Sequence, residues 1–134
     1  MKIEGVDHFT INVLDANESL RFYGEILGLE RLPSVRMSDH DLYYFQLDQS
    51  SRLELIEYDN KVEPMAFTSE TQGMYRHLAL RVSNIFQWAE HLRSNGVQIT
   101  SEPVWVSTLS STNMLIQDSN GVEIELIEKR SVQL

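Results

Sequence analysis

His8 and Glu54 recur in the second half of the chain as His77 and Glu125, set in segments whose hydrophobic rhythm recurs as well. The chain therefore reads as two copies of one unit. That constrains the fold strongly, because a unit of about 65 residues is marginal alone and must pack against something. At 134 residues, the two units together form an ordinary single domain able to bury a real core.

The first copy opens with Val6–Val13, where Phe9, Ile11 and Val13 share one strand face and His8, Thr10 and Asn12 the other. Asp15 and Glu18 predict a capping box. Ala16, Leu20, Tyr23, Ile26 and Leu27 form an apolar helical stripe, with Gly28 as the stop. Leu29–Val35 reads as a second strand and is followed by a loop holding His40. Tyr43–Leu47 and Leu53–Tyr58 then form a hairpin turning through Asp48-Gln49-Ser50-Ser51. Asp59–Gly73 lacks a sustained period, so residues 60–74 are taken as a linker between a module at 1–59 and a second at 75–134. The order then restarts with strand Tyr75–Val82 and helix Ile85–Ser94, capped by Asn84 with Gln87 and lined by Ile85, Trp88, Ala89 and Leu92. Strands at Val97–Val106 and Met114–Asp118 follow, and Val122–Glu128 closes the copy after the turn Asp118-Ser119-Asn120-Gly121. Each half is thus strand, helix and three strands, an α+β arrangement in which the helix covers one sheet face and leaves the other for a ligand.

Strand phase selects the chemistry. Glu54 lies between Leu53 and Leu55, and Glu125 between Ile124 and Leu126, so both carboxylates oppose core positions. His8 and His77 stand in the matching phase. Two imidazoles and two carboxylates make an N2O2 donor set for a divalent transition metal, with room left for water or substrate. The chain has no cysteine, which excludes disulfides, thiolate metal sites and thiol nucleophiles. His40 in its loop and His91 near a helix end read as ordinary histidines, the latter favoured by the helix dipole. Tyr58, Trp105 and Met114 read as cavity or core residues. Arg52, Arg81 and Glu123 share phase with the site; Arg81 could meet an anionic substrate group, and Glu123 could serve as an outer carboxylate.

Eleven basic residues stand against twenty acidic ones, for a net charge of -9. That field disfavours nucleic acid and anionic membrane as partners and leaves a small-molecule substrate. No apolar leader opens the chain and no run approaches a membrane span, so the expected location is cytoplasmic.

The opening DHFTINVLDANESLRFYGEILGLE resembles the first module of the vicinal oxygen chelate superfamily, which includes glyoxalase I, bleomycin-resistance proteins and extradiol dioxygenases; HLALRV and DSNGVEIELIE extend the resemblance across the second module. The resemblance implies two βαβββ modules with mixed sheets forming a metal-binding cup, the glyoxalase-like fold, often within a homodimer. It implies His8, Glu54, His77 and Glu125 as metal ligands, a set similar to that of the glyoxalase I branch. The cation would be Ni, Zn, Co, Mn or Fe. The implied reaction is that of a lactoylglutathione lyase-like enzyme, with proton transfer through a metal-bound ene-diolate and Glu54 or Glu125 as the catalytic base. Asn12 stands where bacterial glyoxalase I carries an arginine that helps hold glutathione, so the thiol part of the substrate is expected to differ. Asn12, Arg81 and Trp105 are the candidate substrate-binding residues. The alternatives within the resemblance are an Fe(II)-dependent dioxygenase and a small-molecule or antibiotic-binding protein.

Overall fold

Leu53 and Leu55 are wholly buried on either side of Glu54, and Ile124 and Leu126 on either side of Glu125. Those two alternating strands organise the molecule. The computed structural model describes residues 1–62 and 75–130, and the chain divides into two units, Met1–Pro64 and Met65–Leu134. The first unit contains β1 (His8–Asn12), α1 (Ala16–Leu20) running on as a π-helix (Arg21–Ile26), β2 (Arg31–Arg36), β3 (His40–Gln46) and β4 (Arg52–Tyr58). The second contains β5 (Leu78–Arg81), α2 (Ile85–Ser94), β6 (Gln98–Val106), a 3₁₀ turn (Ser107–Leu109), β7 (Ser111–Gln117) and β8 (Glu123–Lys129). Their sheets run β1-β4-β3-β2 and β5-β8-β7-β6. In each, the first strand lies parallel to the last and the remaining pairs are antiparallel. The expected pair of βαβββ modules with mixed sheets is therefore present. Most of the expected linker, residues 63–74, lies outside the described residues.

Each core forms between helix and sheet. In the first unit Phe22, Tyr23 and Ile26 pack over Ile11, Phe45, Leu53 and Leu55; in the second Ile85, Ala89 and Leu92 cover Leu78, Met114, Ile116, Ile124 and Leu126. Each fully buried large side chain contributes about 1.5–3 kcal/mol. The helix approaches closely at Gly24, where an added Cβ would stand 3.2 Å from the Phe45 ring. The helical stripe differs from the expected one. Leu20 is only half-buried, while Ser19 and Phe22 are buried, so the covered face centres on Ser19, Phe22, Tyr23 and Ile26 with Leu20 at its margin, and the helix then widens where the Leu27 N–H bonds the Phe22 carbonyl.

Several boundaries also move. β1 begins at His8 rather than Val6. β3 begins at His40, expected in a loop, and β7 at Ser111 rather than Met114. β5 begins at Leu78, not Tyr75: its ladder with β8 starts at Leu78 opposite Ile124, so His77 immediately precedes the strand. Pro33 and Pro103 sit in the edge strands β2 and β6, each within a register irregularity, where a missing N–H costs no ladder bond.

The helix caps have two origins. Asp15 accepts from the Asn17 and Glu18 amides at 2.9 and 3.3 Å, as expected. The Asn84–Gln87 box does not form. Asn84 adopts a left-handed conformation (φ 60°) and its side chain makes no capping bond. The Glu128 carboxylate accepts from the Asn84 and Ile85 amides instead, at 3.1 and 2.9 Å. Glu57 does the same for Ala16 at 2.8 Å. Both glutamates stand three residues beyond Glu54 and Glu125, on the helix-covered face of the same strands.

Candidate metal centre

In the first unit, register places Thr10, Glu54 and Tyr44 in one row across β1, β4 and β3. The Thr10 hydroxyl donates to Glu54 Oε1 at 3.0 Å and the Tyr44 hydroxyl to Oε2 at 2.5 Å. Both carboxylate oxygens are therefore engaged, and only 12% of the side chain is exposed. Donation to the carboxylate, helped by burial, raises the Tyr44 phenol above its ordinary pKa. His8 presents Nε2 to Glu54 Oε1 at 3.9 Å, while its Nδ1 lies 2.6 Å from Asp7 Oδ2. The hydrogen bond with His8 holds the Asp7 carboxyl below the usual carboxylate range, with a smaller contribution from Arg52.

The second unit repeats the arrangement with other residues. The row through Glu125 is Ala79–Glu125–Leu115, which has no hydroxyl. Asn113, from the next row of β7, supplies the missing donor to Glu125 Oε1 at 2.5 Å, itself held by Ser111 at 2.6 Å. His77 Nε2 lies 2.7 Å from Glu125 Oε2. Its Nδ1 is buried, makes no hydrogen bond, and lies 3.7 Å from the carboxylate of Glu123, which pairs with Arg76.

The structure thus brings His8 to Glu54 and His77 to Glu125, one pair in each unit. Among the described residues no group of three or more His, Asp or Glu side chains is arranged to hold a metal ion. The donor chemistry of each pair nonetheless suits a divalent cation: a carboxylate oxygen beside an imidazole Nε2, with Nδ1 turned toward a second carboxylate in the manner of metal-ligating histidines.

The other candidates divide. Asn12 pairs with Ile56 in the phase of His8 and Thr10, and Arg81 pairs with Ile127 in the phase of Glu125; both are exposed on their site faces. Trp105 pairs with Thr112, whose own partner is Glu128, so its register sets it in the phase opposite to Glu125. Val104, opposite Asn113, holds the site-face position on β6. The irregularity between Ser101 and Val104 sets this phase. Met114 is wholly buried core. His40 shares the face of Tyr44, with Nδ1 2.6 Å from Asp39 and its ring 5.0 Å from Tyr58. His91 lies on α2 beside Trp88. Sequence reading missed Tyr44, Asn113, Asp7 and Arg76. Strand alternation alone placed Thr10 correctly without revealing its role.

Residues 5–126 match the family model described as the Glyoxalase/Bleomycin resistance protein/Dioxygenase superfamily. The chain is 30% identical over 131 residues to a lactoylglutathione lyase of Salmonella typhimurium, covering 92% of this chain and 91% of that protein. It is similar in fold to a glyoxylase/bleomycin resistance protein/dioxygenase domain from Frankia (TM-score 0.82, 21% identity, 98% and 96% of the two chains). It is also similar in fold to TnmS3, an antibiotic binding protein from Streptomyces (TM-score 0.75, 21% identity, 97% and 99%).

Proposed function

Because the chain belongs to the glyoxalase/bleomycin resistance/dioxygenase (vicinal oxygen chelate) superfamily, we propose that it is a metal-dependent lyase or isomerase of the glyoxalase I type acting on a small oxygenated substrate. Superfamily membership supports an enzymatic role in the broad sense. The narrower reaction rests on one observation, the presence in each half of a histidine Nε2 facing a strand glutamate.

His8, Glu54, His77 and Glu125 would hold the cation, and all four donors are nitrogen or oxygen, which suits Ni, Zn, Co, Mn or Fe. When bound, a divalent cation supplies Lewis acidity toward a substrate carbonyl. The protein's own part is proton movement. One glutamate carboxylate would take the proton from the hemithioacetal carbon and return it to the neighbouring carbon, while the hydroxyl proton passes from the first oxygen to the second, so a hemithioacetal becomes its isomer, a 2-hydroxyacyl thioester. The imidazoles stay neutral, as ligands require. Thr10, Tyr44 and Asn113 hold the carboxylates in place by hydrogen bonding. Asn12 and Arg81 lie on the site faces as the residues that would meet the substrate's polar groups. The homodimer common in the family is part of the same proposal.

The test is conversion of methylglyoxal hemithioacetals of glutathione and of other thiols by metal-loaded protein. Turnover is expected, and Glu54→Gln and Glu125→Gln should each lower it by about 10²–10⁴-fold, the base because a neutral amide accepts no proton and the other because an amide is a weaker ligand than a carboxylate. Unchanged turnover in both variants would overturn the carboxylate mechanism.

A further inference from the structure

The residues surrounding the two histidines carry the same acid and base with their positions exchanged. His8 lies opposite Arg52 in the β1–β4 register and is preceded by Asp7. The second ladder begins with Leu78 opposite Ile124, so the places one step earlier belong to His77 and Glu123, and His77 is preceded by Arg76. Aspartate before and arginine across in the first unit become arginine before and glutamate across in the second. In both units arginine and carboxylate are in contact: Arg52 lies 3.6 Å from Asp7, and Arg76 pairs with Glu123. In both, the carboxylate lies on the Nδ1 side of the imidazole, at 2.6 Å for Asp7 and 3.7 Å for Glu123.

His40 also has an aspartate at Nδ1, Asp39 at 2.6 Å, so that contact alone marks no ligand; at His8 and His77 it is joined by an arginine held against the carboxylate and by an Nε2 that faces a strand glutamate. That combination suits a metal-ligating imidazole, because a carboxylate accepting from Nδ1–H, as Asp7 does at 2.6 Å and as Glu123 stands 3.7 Å from doing, keeps the proton there and leaves the Nε2 lone pair facing the ligand position. We propose that Asp7 and Glu123 are equivalent positioning residues that aim the Nε2 atoms of His8 and His77, with Arg52 and Arg76 anchoring them from exchanged strand positions. In the first unit the anchoring closes into a ring. The Arg52 guanidinium lies 4.5 Å above the Tyr44 ring, Tyr44 donates to Glu54, and Glu54 faces His8. Asp7 therefore communicates with both candidate ligands of its half.

The proposal rests on the metal-site reading above, and its test separates the two. Metal-free protein is titrated calorimetrically with Zn²⁺ or Co²⁺, the Co²⁺ absorption spectrum is recorded, and thermal melting of the metal-free protein reports folding. Asp7→Asn and Glu123→Gln are each expected to weaken cation affinity by about 10–100-fold while the metal-free melting temperature stays near that of the wild type. Asp7→Arg alone should be at least as damaging. Asp7→Arg combined with Arg52→Glu, which writes the second unit's arrangement into the first, should restore affinity to within a few-fold of wild type and restore the cobalt spectrum. Should wild type take up no cation, both readings fall. Should wild type bind and the Asn and Gln variants bind equally well, or the exchange variant bind no better than Asp7→Arg, this inference alone falls.

Discussion

Tyr44 reaches Glu54 only because register sets them side by side. Its neighbour Tyr43 points to the other face of β3, and the chain itself gives no reason to choose between two adjacent tyrosines. Removing the Tyr44 hydroxyl leaves one Glu54 oxygen without its donor. We expect Tyr44→Phe to weaken cation affinity about tenfold and to cost about 1 kcal/mol of stability, whereas Tyr43→Phe should leave affinity unchanged. Calorimetric titration of the two variants decides it, and equal affinity for both would remove Tyr44 from the centre. The principal candidates could be read from the residues themselves, because an acid between two large aliphatics, as in Leu53-Glu54-Leu55, must face away from the core. Asp7 and Arg76 were hidden for a related reason: their charges are exchanged between halves, so a comparison of like with like passes over them.

At the scale of elements, strands were readable from alternation and helices from their stripes, but the contacts that end them often come from far along the chain. Glu128 caps α2 from 44 residues beyond Asn84, which no local pattern contains. A carboxylate at a helix N-terminus is favoured by both its hydrogen bonds and the dipole. Glu128→Ala is accordingly expected to destabilise the protein by about 1–2 kcal/mol, while Asn84→Gly, at a left-handed position that glycine adopts freely, should cost nothing or stabilise slightly. Urea unfolding measures both, and a costly Asn84→Gly with a neutral Glu128→Ala would contradict the assignment. The β3–β4 turn depends on Asp48, whose carboxylate accepts from the Ser50 and Ser51 amides at 2.9 and 2.8 Å and from the Ser51 hydroxyl at 2.9 Å. Those bonds, the Ser50 amide foremost, hold its pKa below the ordinary value. A depressed carboxylate contributes stability above its unfolded pKa of about 3.9 and loses it as pH falls through the lower native value. The difference between wild type and Asp48→Asn in urea midpoint should therefore be largest near neutrality and shrink below about pH 4. A difference constant with pH would refute the role.

At the scale of the molecule, the duplication seen in the sequence appears again in strand order, in the proline that each edge strand carries, Pro33 and Pro103, in glutamate caps and in turns built on Asp48 and Asp118. Among the described residues no helix is long and apolar enough to cross a membrane. The function proposed above needs both His–Glu pairs as cation ligands. The stoichiometry of Zn²⁺ or Co²⁺ uptake by wild-type protein, His8→Ala and His77→Ala tests it most directly. One cation per chain is expected in the wild type, with a loss of affinity of at least about 10–100-fold in either variant. Two cations per chain, or one histidine variant that binds as wild type does, would contradict it.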